Sequence, residues 1–325
     1  MKFFLSFLLI LGLMFHCLVA DLYFDPARVG TSAAMIRTGY IGGFNLYASA
    51  LFENPASLYR TDRVSGSLFH TTLMDEVVYQ NVAFSYRLKY GVIGIGFMQS
   101  GVDGLTHTDW IDGGVSVTGT SYSYANNFLK ATYQYSFSDQ FHLGVNFTNY
   151  QLSMDTVSAK GSNMDFGVVF ENQWAGFSFV MNNFLPSKEI VFADSDNTFS
   201  GQNSSDGKKE ILPSSWVLSG QTYWDSWSFL AQIKSLTYYS VLLKSASISY
   251  DPISLPFLSL SVGYSEFHEV QRIEEHVNSS FVFSSITYGV GFYMFGANFD
   301  YAFEKGDHVN PQFQNRHYFS LNFSL

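Results

Sequence analysis

The densest group of residues able to do chemistry is Glu266, His268, Glu269, Glu274, Glu275 and His276. Carboxylates beside imidazoles could hold a divalent metal or activate water. The spacing argues against it: no His-Glu-x-x-His is present, and one short loop fixes ligands poorly. The expectation is a solvated surface loop over 265–279, with no metal and no cofactor. Asp194-Ser195-Asp196-Asn197 starts like a calcium loop but lacks the required Gly and distal Glu. Neither a Gly-x-Ser-x-Gly elbow nor a phosphate-cradling Gly-rich loop occurs. The chain is therefore not read as an enzyme. Ser and His are plentiful, and a hydrolase with Ser, His and acid near 101–124 and 265–279 is kept as a third alternative. Lone His142 and His317 read as interfacial or lumen residues before they read as bases.

These residues sit in a chain dominated by two-residue alternation. In the last ten residues Phe319, Leu321, Phe323 and Leu325 alternate with Tyr318, Ser320, Asn322 and Ser324. A strand reads this way when one side meets hydrocarbon and the other meets water or a polar plug. The rhythm predicts strands near 62–71, 77–88, 91–100, 125–137, 140–151, 162–172, 175–183, 213–223, 226–235, 241–250, 255–264, 280–293, 295–304 and 316–325. Most have the 9–11 or so residues that a tilted strand needs to cross hydrocarbon. Connections alternate between short turns, as at Leu88–Gly91 and Asn172–Ala175, and longer loops at 101–124, 184–212, 265–279 and 305–315. An open edge in lipid would leave costly unpaired backbone groups, so the sheet must close. The fold class is all-β: a transmembrane antiparallel β-barrel of about 14 strands over 61–325.

Alternation sorts the faces. Leu129, Ala131, Tyr133, Tyr135 and Phe137 point to lipid, opposite Phe128, Thr132, Gln134 and Ser136. Arg87, Lys130, Asp165 and Asp300 fall on inward faces. Two readings stay open for these lumen charges: they tie an N-terminal segment to the wall through Asp25, Arg28 or Arg37, or they are simply solvated. Trp174, Trp224 and Trp227 at short turns, with Trp216, Tyr150 and Tyr264 at the other strand ends, predict two interfacial girdles.

Composition agrees. Aromatic residues make up 18% and charged residues 14%, against about a quarter charged in soluble domains. Met1–Ala20 reads as a secretory signal: Lys2, an apolar run Phe3–Phe15, and Val19-Ala20 before Asp21. Its removal takes with it Cys17, the single cysteine, and leaves no disulfide or thiolate chemistry. Net charge is −10, without basic clusters, which argues against nucleic acid as a partner. Residues 21–60 do not alternate; Gly30, Gly39, Gly42 and Gly43 interrupt short apolar stretches. They are too apolar for a free tail and are placed inside the barrel as a plug.

Tyr40-Ile41-Gly42-Gly43-Phe44, then Asn54-Pro55-Ala56 just before the first of fourteen strands, resembles the outer-membrane long-chain fatty-acid transporter family, which shares its fold with a secretion-system relative. The resemblance implies that residues 21–60 form a hatch with Asn54, Pro55 and Ala56 as its motif. It also implies a lateral exit at the third strand, where Gly94 and Gly96 would permit a gap; the alternative is that they make room for the hatch. The chain departs from the family in trimmed loops and in Leu325 at the position of the usual terminal aromatic.

The expected function is passive, hatch-gated uptake of small hydrophobic molecules such as fatty acids in a bacterial outer membrane. The expected partners are membrane lipid, the hydrophobic solute and the assembly machinery that reads the C-terminal strand, with the protein a monomer. The alternative is a scaffold barrel for a lipoprotein or secretion partner.

Overall fold

The computed structural model describes residues 29–73, 76–111, 114–185, 189–194, 209–237, 241–274, 277–305 and 315–325. The expected signal segment, Asp25, Arg28, Ser195–Asn197, Glu275 and His276 lie outside them.

The strands are β1 (Val64–Leu73), β2 (Val77–Leu88), β3 (Gly91–Ile111), β4 (Gly114–Ser136), β5 (Phe141–Met154), β6 (Val157–Glu171), β7 (Ala175–Asn182), β8 (Glu189–Asp194), β9 (Lys209–Ile211), β10 (Ser215–Trp224), β11 (Trp227–Leu236), β12 (Val241–Tyr250), β13 (Leu258–Glu274), β14 (Val277–Met294), β15 (Ala297–Lys305) and β16 (Arg316–Ser324). Every strand except β8 and β9 joins one antiparallel ring. It closes through β16 on β1, with Leu68 opposite Leu321, and through β5 on β6. Closure removes both edges, as hydrocarbon requires. The expected fourteen-strand barrel is thus the observed fold. β8 and β9 lie outside the ring and extend β6 at its outer end.

The inward and outward faces follow the alternation. Leu129, Tyr133, Phe147, Phe299 and Phe319 are exposed on the outer wall, whereas Thr132, Asn146, Asp300, Tyr318 and Asn322 are buried in the lumen. Trp174, Trp224 and Trp227 are exposed at the short-turn end. Tyr150 is a correction to the outer girdle. It faces inward on β5, fully buried, and its hydroxyl donates to Asn183 Oδ1 at 2.8 Å. Its parity with Asn146 and Thr148 outweighs its position near the strand end.

Two expected loops are also corrected. Residues 101–124 and 265–279 are largely the outer halves of the β3–β4 and β13–β14 hairpins, which pair as far as Ile111 with Gly114 and Glu274 with Val277. Beyond the hydrocarbon both faces meet water, so apolar alternation stops while the backbone ladder continues. Glu266 and His268 consequently sit on a strand, with His268 buried.

Inside the ring lies a compact segment. It comprises α1 (Ala33–Arg37) and two 3-10 turns, Ala48–Phe52 and Pro55–Arg60. Ser32 caps α1 by accepting from the Met35 amide, and Asn54 caps the second turn by accepting from the Ala56 amide with Pro55 in first position. Ile36, Leu51 and Leu58 are fully buried and form the apolar centre of the lumen with Phe69, Tyr79 and Phe128. Among the described residues no helix is long and apolar enough to cross a membrane; the strands carry the lipid-facing surface.

Candidate functional site

The plugged lumen is the candidate site. Its seat is a depression between β5 and β6. Gly144 and Gly167 are cross-strand partners, and the Asn54-Pro55-Ala56 turn lies directly on them. A Cβ on Gly144 would fall 2.3 Å from Ala56 N, and one on Gly167 would fall 1.9 Å from Asn54 Oδ1. Asn54 then spends its amide on the wall: Nδ2 donates to Ser178 Oγ at 2.8 Å and to the Phe179 carbonyl at 3.1 Å. The motif therefore caps its own turn and ties the plug to β7 with one side chain.

A second seat is on β3. Leu51, Phe52 and Leu58 lie over Gly94 and Gly96, where added Cβ atoms would come within 2.6–2.9 Å of them. The ladders beside these glycines are continuous, from Val92 to Gly101 toward β2 and from Val92 to Val102 toward β4. The first irregularity in β3 lies beyond, between Val102 and Leu105.

The four charges singled out from sequence take three roles in the structure. Lys130 and Asp165 meet at 2.5 Å, both buried on the wall. Asn146 links that pair to the plug, donating from Nδ2 to Asp165 Oδ2 at 3.1 Å and to the Leu51 carbonyl at 2.8 Å. Asp300 pairs with Arg37 of α1 at 3.2 Å, and Arg37 also donates to Ser259 at 3.0 Å and Ser261 at 3.2 Å. Arg87 is exposed at the short-turn end of β2, where it donates to the carbonyls of Tyr59 and Thr61 and holds the last turn of the plug.

Sequence reasoning missed several anchors. Arg60 forms an ion pair with Glu171, which also accepts from Tyr223. Tyr79 donates to the Gly30 carbonyl at 2.7 Å and Asn81 to the Thr31 carbonyl at 2.7 Å. Glu304 accepts from Tyr40 at 2.9 Å, Tyr318 at 2.8 Å and Ser285 at 2.8 Å. Strand parity carried a signal for Glu171 and Glu304, which continue the inward rows of Asp165 and Asp300. His142 stacks on Tyr59 of the plug with centroids 3.5 Å apart, and His317 lies on the outer side against Tyr301.

Glu53 precedes the motif and is buried. Its carboxylate accepts from Thr31 Oγ1 at 3.1 Å, Asn45 Nδ2 at 2.8 Å and the Gly43 amide at 3.2 Å. Burial pushes its pKa up to about 7, against these three donors. Two separate lumen cavities flank this level. The outer one, about 110 Å³, extends along β7 and β10–β13 toward the long hairpins. The inner one, about 590 Å³, extends along β10–β14 toward the short turns. Met35 and Glu53 line both.

Comparison with solved structures places this fourteen-strand ring among outer-membrane barrel folds. The chain is similar to the toluene transporter TodX of Pseudomonas putida, at 14% identity and a TM-score of 0.54, over 94% of this chain and 98% of that one. A TodX monoaromatic hydrocarbon channel variant superposes with a TM-score of 0.57 at 14% identity, over 90% and 97%. A FadL homologue of Pseudomonas aeruginosa does so at 0.52 and 12%, over 94% and 99%. No protein-family model and no curated protein matches the sequence. The fold is that of FadL-like outer-membrane transport barrels.

Proposed function

We propose that the chain is a passive transport protein of a bacterial outer membrane that admits small hydrophobic molecules, such as monoaromatics or fatty acids, past a gated plug. One observation carries this reading. A separate N-terminal segment fills the lumen of a TodX-like barrel, held by side-chain bonds and apolar contact, with cavities on both sides of it. Such a plug can shift without breaking the wall. An apolar solute would enter down its gradient, using apolar contact in place of hydration. Its exit at β3 would require Leu51 and Phe52 to withdraw from Gly94 and Gly96. Lipid surrounds the wall, and β16, with Phe319, Leu321 and Phe323 outward, is the segment offered to assembly machinery. Pairing of β16 with β1 closes the ring on a single chain, and the protein is read as a monomer.

The test is uptake of radiolabelled toluene and oleate by outer-membrane-bearing cells that lack other such barrels, with and without this chain. Faster uptake of at least one solute is expected. Equal uptake of both, with the barrel shown folded in the membrane, overturns the reading.

A further inference from the structure

We propose that the lumen also carries an axial route for small neutral polar solutes and water, closed by a latch at Gly42-Gly43 between Gln232 of the wall and Glu53 of the plug. Three observations point to it. The cavities above and below the plug are separated at this level and share Met35 and Glu53. Both are lined along β10–β13 by small hydroxyls: Ser215, Ser219 and Ser245 in the outer cavity, Ser228, Ser249 and Ser259 in the inner one. Hydroxyls donate and accept, so they can replace part of a polar solute's hydration as it passes. The purely apolar plug contacts lie instead on β3.

The third observation is how the barrier is held. Consecutive amides are captured from opposite sides: Gly42 N–H by Gln232 Oε1 at 3.0 Å and Gly43 N–H by Glu53 Oε2 at 3.2 Å. Gln232 returns a bond from Nε2 to the Tyr40 carbonyl at 3.1 Å and accepts from Ser219 at 3.0 Å. Gly43 has φ +96°, and a Cβ there would lie 2.0 Å from Ser178 Oγ. A Gly-Gly pair is the least restrained backbone available, so once Gln232 and Glu53 release it this segment can swing about the bond that Ser57 Oγ donates to the Gly43 carbonyl at 2.8 Å. Anchors elsewhere, such as Arg37 on Asp300, Asn146 on Leu51 and Arg60 on Glu171, stay engaged while it does.

The route does not depend on hydrophobic uptake, and its test reads a different solute. The full chain is reconstituted into liposomes, and swelling is followed in arabinose, with heat-modifiable gel migration reporting a folded barrel. Gln232→Leu combined with Glu53→Ala should swell about tenfold faster than the native protein, the shift expected for losing two or more net hydrogen bonds. Ser67→Ala, which removes the wall partner of the Ser49 amide on β1 across the ring, should swell at the native rate. Should the double variant fail to assemble, Gln232→Leu alone carries the same test, because strand pairing at Gln232 uses only backbone. Folded latch variants that swell no faster than native, or Ser67→Ala swelling as fast as they do, would overturn the latch.

Discussion

Asn54 shows how much one side chain can carry. It caps a turn, fills the space left by Gly167 and binds two groups of β7. Asn54→Ala leaves Ser178 Oγ without its donor and the buried Ala56 amide without its acceptor, a cost of about 1–3 kcal/mol. Faster hydrogen exchange across residues 48–60 is expected, with unchanged exchange in β1 and β16. Asp300→Ala removes the buried partner of Arg37 and should cost about 3–5 kcal/mol, the usual result of orphaning one member of a buried pair; denaturant titration of the folded barrel measures it. Glu53 titrates upward, to about 7. A carboxyl raised in the folded state adds stability below its unfolded pKa and loses that addition as pH rises through the folded value. Plug docking is therefore expected to weaken from about pH 5 to about pH 8, read as faster exchange at the Gly42 and Gly43 amides beyond the intrinsic pH effect. Glu53→Gln should abolish that dependence. Lys130, Asp165, Lys234, Glu266 and His268 share the outer cavity, and Arg37, Arg60, Asp62 and Asp251 the inner one. All remain in the Gln variant, so a dependence that survives belongs to them. Of these residues Asn54, Arg37, Lys130, Asp165, Glu266, His268 and Asp300 stood out in the sequence. Glu53 and Gln232 did not, because an isolated carboxylate or amide has no periodicity and only the folded chain shows what it faces.

At the scale of elements, the wall is shaped to its contents. Gly144 and Gly167 are far apart in sequence and opposite in the sheet, and together they make the depression for Asn54-Pro55-Ala56. Gly144→Val would drive methyl groups into the plug backbone. Overpacking of this kind costs about 1–3 kcal/mol, and here it should expel the plug instead of unfolding the ring, since the ladder bonds are untouched. Protease cleavage within residues 29–60, with a full-length wall surviving on gels, is the expected outcome; an intact plug would refute it. The strands were legible wherever one face meets lipid and the other does not. The outer halves of β3, β4, β13 and β14 were not, because Asp103, Thr106, His107 and Thr108 mark no apolar face and a hairpin in water needs none. β8 was hidden because Ile190-Val191-Phe192-Ala193 is a short apolar run without alternation, and β9 because it has three residues.

The whole molecule is a ring whose outer surface is wetted by acyl chains and whose lumen is filled by its own N-terminal segment. Ile95 is 52% exposed at the middle of β3. Ile95→Arg should destabilise the barrel by about 2–4 kcal/mol when folded in lipid vesicles. No comparable loss is expected in a water-filled site, so a neutral result would deny that this band meets hydrocarbon. What the sequence determined by itself was the class: alternation at period two, few charges, many aromatics and an even strand count leave a closed barrel as the arrangement that satisfies backbone groups in lipid. These are local properties, written into neighbouring residues. The tertiary structure alone decided which residues from distant strands meet around the plug: Gly144 with Gly167, Arg60 with Glu171, and Gln232 with Glu53 across Gly42 and Gly43. Those meetings depend on strand register and ring closure, which set the angular position of every inward side chain at once and leave no trace in any one stretch of chain.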